Sequence, residues 1–379
     1  MKRGNIKLMK KMNTSFIIKE INENGPLSRS DLKVNTGLSP TTITTLINEM
    51  VEDNLVIEVG ERESSGGRKP ILLDLNPKYA YILSGWISSE KIFISLIDIK
   101  YNILEIIEQE IIFPSNDNLI NQIKSIIDKL INSNDISKEK IIGLILGISG
   151  IINQKEGLIK YSAHLDLKNF SIRQPLSKYY SFPIYIENDT NLIALSEKKF
   201  GYKNINNFIY IMIGPELGSG IIIDDKIYRG NHGQAGEFGH LLVKENGPIC
   251  SCGRKGCLTP VLSEYIPLEN AKNFRNSFNN LNKNSKEYKL FCHYLSLSIT
   301  NYIHLFDNQA VIFGGELGKI ASEQFYLDIK NRIIDYSIKD VYKNIKILPA
   351  SLNDNEVLKG GANFCFKNSE YFLDEGVEV

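Results

Sequence analysis

Three of the five cysteines in this 379-residue chain fall within the single run Cys250-Ser251-Cys252-Gly253-Arg254-Lys255-Gly256-Cys257. Five cysteines do not make a disulfide framework in a chain of this length, and sulfurs crowded together in a reducing compartment point to a metal ion. With His240 upstream, three thiolates and one imidazole fill a tetrahedral zinc shell, and Gly253 and Gly256 permit the tight loop on which the sulfurs converge. Four protein donors leave no position for water. The expected zinc is therefore structural, pinning residues 236–259 beside a cleft. Free cysteines in a buried loop are the competing reading, weakened by the scarcity of cysteine elsewhere.

The length suggests two or three domains, and 42% hydrophobic with 23% charged residues is ordinary globular composition. A formal net charge of zero argues against a protein that coats nucleic acid, but not against a small DNA-reading module on a neutral body. Lys2, Arg3, Lys7, Lys10 and Lys11 precede no apolar run long enough for a signal peptide, and no membrane-spanning stretch follows. A cytoplasmic protein with no membrane partner is expected.

Phe16, Ile17 and Ile21 recur at helical spacing over residues 14–23, and Asn24-Gly25-Pro26 stops that helix. Ser28 can cap a second short helix through Leu32. Thr36-Gly37-Leu38 then turns into Ser39-Pro40, a cap followed by proline at the first helical position. In the third helix Ile43, Leu46, Ile47 and Met50 form an apolar stripe that leaves Thr41, Thr42, Thr45 and Asn48 outward. Short polar side chains suit a major groove. Strands over residues 55–59 and 71–75 flank a loop whose Gly66-Gly67 pair presents Arg68 and Lys69 to a minor groove or to phosphate, with Arg29 or Lys33 against the backbone. Residues 1–76 thus read as a winged helix-turn-helix with DNA contacts at Ser39, Thr41, Thr42, Thr45, Arg68 and Lys69. A small helical domain with a solvated loop is the plainer alternative.

Beyond Asn76-Pro77 the pattern becomes α/β. Strands are expected at 81–83, 92–97, 106–113 and 141–148, with a helix near 119–131. A second block opens at 184–186 and continues through strands at 208–213 and 220–223, later helices and a final strand at 310–313. The Asn/Lys-rich stretch 270–289 reads as a surface helix or loop.

Two constellations accompany the cysteines. Glu187-Asn188-Asp189-Thr190-Asn191 follows a strand and precedes an apolar helix, which places carboxylate and amide groups where they can hold sugar hydroxyls. Asp189 is the leading ligand and could serve as a general base, although capping by Asp189 or Thr190 is an ordinary alternative. In Gly236-Glu237-Phe238-Gly239-His240, a metal on His240 would make Glu237 a preorganised hydroxyl acceptor. His232 and His164 could reach a polar cleft, whereas His293 and His304 belong to helical, partly apolar contexts.

Over almost the whole chain these residues resemble the ROK family of repressors, unassigned reading frames and sugar kinases. Ser28-Arg29-Ser30-Asp31-Leu32, Thr36-Gly37-Leu38-Ser39 and Gly66-Gly67-Arg68-Lys69-Pro70 are similar to the front end of its xylose-repressor-like members. Glu187-Asn188-Asp189, Gly236-Glu237-Phe238-Gly239-His240 and the cysteine loop resemble its shared body. The resemblance implies an actin-like ATPase (ribonuclease H-like) α/β fold over 77–379. Its smaller lobe would span about 77–185 and its larger, zinc-containing lobe about 186–355, with a C-terminal helix returning to the smaller lobe. It also implies sugar contacts at Gly150, Asn188, Asp189, Glu237 and His240, the last touching both zinc and sugar, and a homodimer or homotetramer.

Departures from the family pattern separate sensor from kinase. Where the kinases carry an Asp-x-Gly-Gly-Thr phosphate loop, this chain has Trp86-Ile87-Ser88-Ser89-Glu90-Lys91, and a second phosphate-contacting Gly-Thr-Gly is Gly214-Pro215-Glu216. Bulk, lost amide donors and two acidic side chains all work against ATP. Asp189 matches the kinase base but is left as a ligand contact, so no catalytic residue is expected. Thr259 and His164 stand where glutamate and asparagine are usual, and Ser149 where proline is. The expected function is repression of carbohydrate-utilisation genes under a sugar such as xylose, another pentose or a hexose. That sugar would close the lobes and release operator DNA, although strengthened binding is equally open. The alternatives are an ATP-dependent ROK sugar kinase and a scaffold that senses a partner protein.

Overall fold

The computed structural model describes residues 3–62, 69–88, 90–111, 116–162, 165–268, 270–369 and 371. Two compact units emerge. The first comprises Met1–Leu146, Ile172–Tyr185 and Gly361–Val379, and the second Gly147–Ser171 and Ile186–Gly360.

The chain opens with α1 (Arg3–Asn24), β1 (Leu27–Ser28), α2 (Arg29–Thr36) and α3 (Pro40–Glu52). Helix α1 begins well before residue 14, where the apolar pattern placed its start. Its seat is the buried stripe Ile17, Ile18 and Ile21, while Phe16 falls off that face and stays 37% exposed. The earlier turns are held from the surface by the Lys10–Glu49 pair at 2.8 Å. Helix α2 continues four residues past the expected stop at Leu32, because Ser28 and Asp31 form a reciprocal capping box and Gly37, at φ 67°, supplies the left-handed cap. Helix α3 starts as its sequence dictates. Ser39 accepts the Thr42 N–H, Pro40 fills the first helical position, and Ile43, Leu46, Ile47 and Met50 are buried.

Strands β2 (Val56–Glu61) and β3 (Ile71–Leu75) pair antiparallel, with β1 on the far side of β3. Next come β4 (Tyr81–Ile87), β5 (Lys91–Asp98), β6 (Ile103–Glu110), α4 (Asn116–Ser133) and β7 (Ile141–Ile148). Entering the second unit, β8 (Ile151–Asn153), β9 (Leu158–Ser162) and β10 (Leu167–Ser171) form a small sheet that the sequence pattern did not anticipate. Its strands are too short to show alternation.

After α5 (Arg173–Leu176), β11 (Ile184–Asn188) joins the first sheet, whose order is β11-β7-β4-β5-β6. The strand expected to open a second block therefore completes the first. Apolar character identifies a strand but not the sheet that receives it.

The second unit continues with α6 (Asp189–Ser196), β12 (Phe208–Ile213), β13 (Leu217–Ile223) and β14 (Lys226–Ile227). Helices α7 (Leu258–Ser263), α8 (Ala271–Asn279) and α9 (Lys286–Phe306) precede β15 (Ala310–Gly314), α10 (Gly315–Ile320), α11 (Glu323–Tyr336) and β16 (Lys346–Pro349). The sheet runs β14-β13-β12-β15-β16. Strand β15 is thus not the last, as expected, because the short edge strand Lys-Ile-Leu-Pro carries too few apolar residues to announce itself. The Asn/Lys-rich stretch resolves into α8, which buries Phe274, and the start of α9. Phe238, Phe291, Phe313 and Phe325 join Phe274 in the core.

Helix α12 (Leu358–Lys367) brings the chain back to the first unit, where Cys365 and Phe366 are fully buried. The Tyr101 ring meets Phe366 edge-on. Its hydroxyl accepts from Asn22 Nδ2 at 3.2 Å and donates to Asn363 Oδ1 at 3.0 Å. One phenol thereby joins α1, the β5–β6 turn and α12.

Candidate functional site

Helix α6 begins where β11 ends, and the change of direction is made by side chains of the Glu187-Asn188-Asp189 run. Asn188 is the N-cap: its Oδ1 accepts the Asn191 N–H at 3.1 Å, and its Nδ2 donates to the Gly150 carbonyl at 3.2 Å. Capping falls to Asn188 rather than to Asp189 or Thr190. Gly150, at φ 137°, is itself pressed against the Tyr161–Ser162 backbone, where a Cβ would stand 2.4 Å from the Tyr161 carbonyl oxygen. Behind the cap, buried Glu187 accepts from the Asn188 N–H at 2.9 Å, Asn191 Nδ2 at 3.1 Å, Gln154 Nε2 at 3.0 Å and Arg229 Nε at 2.8 Å. The sequence reading missed Arg229 and Gln154. The signal available was Glu187 itself, a carboxylate in an apolar strand that needed donors.

Asp189 is 3% exposed. Its Oδ1 accepts the Thr190 N–H at 2.7 Å, while its buried Oδ2 has no hydrogen-bond donor. Burial, and then the neighbouring Glu216 carboxyl, push its pKa up to about 7. Half-buried Glu237 is raised in turn by burial and by Asp189. The helix sits this close to β13 because Gly218 and Gly220 face it: Cβ atoms there would stand 2.8 Å from Thr190 Oγ1 and 2.7 Å from Ala194 Cβ.

The Gly236–His240 segment is anchored from two sides. Ser219 Oγ donates to the Gly236 carbonyl at 2.9 Å, and Thr259 Oγ1 to the Gly239 carbonyl at 3.0 Å. Thr259, one of the departures noted in the sequence, braces the loop. His240 Nδ1 lies 3.5 Å from Cys250 Sγ, while its Nε2 is 4.0 Å from Glu237 Oε2. Burial lowers the His240 pKa, with Arg254 adding to the shift, and so favours the neutral imidazole that ligation requires.

One ligand atom from each of His240, Cys250, Cys252 and Cys257 lies within 4.8 Å of all the others, so these four can hold a metal ion. The Cys252 and Cys257 sulfurs are 3.7 Å apart. A tetrahedral ion with metal–sulfur bonds of ~2.3 Å requires sulfur separations of roughly 3.8 Å, so the donor set fits such an ion. The loop closes because Gly256, at φ 77°, passes where a Cβ would overlap the Lys244 carbonyl oxygen at 1.8 Å.

Both stretches that depart from the expected phosphate loops make hydrogen bonds within their own turns. Ser88 and Lys91 close the β4–β5 hairpin, with the Ser88 N–H donating to the Lys91 carbonyl at 2.9 Å. The Gly214 N–H donates to the Glu216 carbonyl at 3.1 Å, and Pro215 offers no amide. Among the other expected residues, His232 is exposed and His164 lies outside the described residues.

On α3, Thr41, Thr44, Thr45 and Asn48 are exposed, whereas Thr42 is half-buried with its hydroxyl 2.8 Å from that of Ser39. Thr42 thus takes part in the cap, and the Thr44 hydroxyl donates to the Pro40 carbonyl at 2.9 Å. A groove of ≈ 510 Å³ separates Thr41, Thr42 and Thr45 from Ile6, Met9 and Asn13 of α1. Arg29 donates to Asn48 Oδ1 at 3.2 Å. At the wing base, Arg62 Nη2 donates to Asp31 Oδ2 at 2.9 Å, fixing the hairpin to α2. Lys69 is exposed, and Arg68 lies outside the described residues.

Residues 87–367 match the ROK family. The chain belongs to that family. Residues 17–57 of this ROK protein match the winged helix-turn-helix DNA-binding family. The protein is 30% identical over 388 residues to the xylose repressor of Bacillus spizizenii, with 97% of each chain covered. A ROK family transcriptional regulator, a homologue of the Escherichia coli MLC protein, shares its fold with a TM-score of 0.77 and 23% identity, covering 96% of this chain and 97% of that one. The ROK glucokinase of Streptomyces griseus, solved with glucose and AMPPNP, has a TM-score of 0.60 and 21% identity over 75% of this chain and 99% of its own. The body therefore has the actin-like fold of ROK sugar kinases, and the head makes this ROK protein a DNA-binding transcriptional regulator rather than an enzyme.

Proposed function

We propose that this ROK regulator represses carbohydrate-utilisation genes and releases its operator when a small sugar, xylose or another pentose or hexose, binds at Gly150, Asn188, Asp189, Glu237 and His240. The observation that carries this reading is the Gly214–Glu216 turn, where the Gly214 amide is bonded internally, Pro215 offers none and the Glu216 carboxyl stands beside that of Asp189. A nucleoside triphosphate would meet an acidic side chain there and find no amide on Pro215, while Asp189 and Glu237 remain as hydroxyl acceptors.

His240, Cys250, Cys252 and Cys257 would hold a structural zinc, as four protein donors leave no site for water. His240 would then face that ion through Nδ1 while Nε2 stays beside Glu237, ready to orient a ligand hydroxyl. In the head, Ser39, Thr41 and Thr45 would meet base edges or phosphate, with Arg68 and Lys69 on the flanking groove, and Thr42 acting through the cap. One recognition helix covers little sequence, so a homodimer or homotetramer on a palindromic operator is the expected assembly. No helix among the described residues is long and apolar enough to cross a membrane, consistent with a cytoplasmic protein.

The deciding experiment measures binding to DNA upstream of its own gene and of neighbouring genes, with and without pentoses and hexoses. Specific binding that one sugar weakens, together with a salt dependence whose log–log slope falls by about one in Lys69→Ala, is the expected outcome. ATP-dependent sugar phosphorylation without specific DNA binding would overturn the reading.

A further inference from the structure

Asp189 presents an unusual problem in hydrogen bonding. Its Oδ2 is out of contact with solvent and has no donor, although the residue is only 3% exposed and an unpaired buried carboxylate oxygen is costly. A neighbour that interacts with it is the Glu216 carboxyl, on which Ser149 also acts. Two carboxylates are both acceptors and cannot satisfy one another. A single proton between them can, and burial and the proximity of Glu216 act in that direction by raising Asp189. The turn bearing Glu216 cannot easily lift as a whole, because β13 begins immediately after it and Gly218 is pressed against Thr190 at the start of α6.

We propose that the Glu216 carboxyl holds the place of a ligand hydroxyl on Asp189, so that an effector binds by displacing it. This rests on the sugar-effector reading above and deepens it by naming the residue that sets the threshold for binding. The ligand class is a polyhydroxylated, uncharged molecule, since what replaces Glu216 must exchange one hydrogen bond with the Asp189 carboxyl, as a hydroxyl can whether or not Asp189 keeps its proton, without bringing a further negative charge. Glu216 is accordingly more than an obstacle to nucleotide: it competes for the acceptor that the sugar needs. Ser149 fixes that competitor in position.

Displacement makes opposed predictions for three substitutions. Glu216→Ala removes the competitor and leaves Asp189 Oδ2 open, so sugar affinity rises about three- to tenfold, the equivalent of one hydrogen bond. Ser149→Ala loosens the competitor and raises affinity about two- to threefold by the same argument. Glu216→Gln places a permanent amide donor on Asp189 that no proton transfer can withdraw, and affinity falls. Titration calorimetry on the full-length protein with D-xylose, L-arabinose, D-glucose and N-acetyl-D-glucosamine reads all three, with thermal unfolding of each variant to confirm folding. Loss of affinity in both Glu216→Ala and Ser149→Ala would make Glu216 a direct ligand contact and overturn displacement, as would unchanged affinity in all three. Failure of the unsubstituted protein to bind any of the four sugars would instead remove the sugar-effector reading itself, and this inference with it.

Discussion

Arg229 donates its Nε–H to the Glu187 carboxylate at 2.8 Å, tying the segment that leads to Glu237 to the strand that ends just before Asp189. Glu187 is 3% exposed, so that partner and the amides around it stand in for water as its hydrogen-bond donors. Removing one member of a buried pair leaves an uncompensated charge, which costs about 3–5 kcal/mol in closed sites and less where, as here, the cation is partly exposed. Arg229→Ala is expected to lower the unfolding temperature by several degrees and to weaken sugar binding several-fold. Arg229→Lys should recover part of the stability but less of the binding, because a point charge does not reproduce the directed Nε–H. Calorimetric unfolding and sugar titration on the two variants check this.

The four ligand atoms of His240, Cys250, Cys252 and Cys257 bear on stability as well as on recognition. A zinc chelator added to the native protein is expected to release about one zinc per chain, lower the unfolding temperature and abolish the sugar response. Cys252→Ser should do the same without chelator. Elemental analysis of the purified protein supplies the direct count, and a protein that binds sugar equally well without metal would contradict the role assigned to His240.

Asp189 gives the protein a pH signature. Its pKa in the fold, about 7, lies above the ordinary carboxylate value of 3.8, so between those limits the native state keeps a proton that the unfolded chain has released. Stability therefore falls as pH rises from about 4 to about 7 and levels off above, the opposite of a carboxylate held in an ion pair. Asp189→Asn should flatten that decline and stabilise the protein at neutral pH, while eliminating the response to sugar. Denaturant titrations at several pH values on the two proteins test the sign.

Tyr101 makes a similar case in the first unit. Its hydroxyl sits between Asn22 and Asn363, and burial raises its pKa far above the ordinary value of 10.0. Tyr101→Phe would leave Asn363 Oδ1 without this donor at a cost of about 1–3 kcal/mol. The expected readout is faster hydrogen exchange in α1 and α12, with the cores of β12 and β15 unchanged.

How much of this was readable beforehand depends on the range of the physics involved. The start and the buried face of helix α3 were legible because a cap, a proline and an apolar stripe are all local. The cysteine loop was legible because the donor chemistry is specific and the glycines announce its turns. Helix α1 was cut short because its first turns are held by surface pairing such as Lys10–Glu49 rather than by a buried stripe. The allocation of β11 to the first sheet and the addition of β16 depend on pairings between distant segments, to which apolar periodicity is blind. The roles of Arg229, Gln154 and Thr259 were hidden for the same reason: each acts on a partner at least 20 residues away in the chain. The acidic character of Glu216 was visible, but its companionship with Asp189 needed coordinates.

The return of α12 to the first unit has a consequence for synthesis. The DNA-binding head leaves the ribosome early, yet the surface beneath Tyr101 is completed only when Asn363 and Phe366 arrive. At roughly 5–20 residues per second that interval is on the order of 15–60 s. During it, a nascent chain carries a formed recognition helix on an unfinished platform. A premature stop shortly before Leu358 would leave that state permanent: a head able to meet DNA, detached from the part of the body through which a sugar could make it let go.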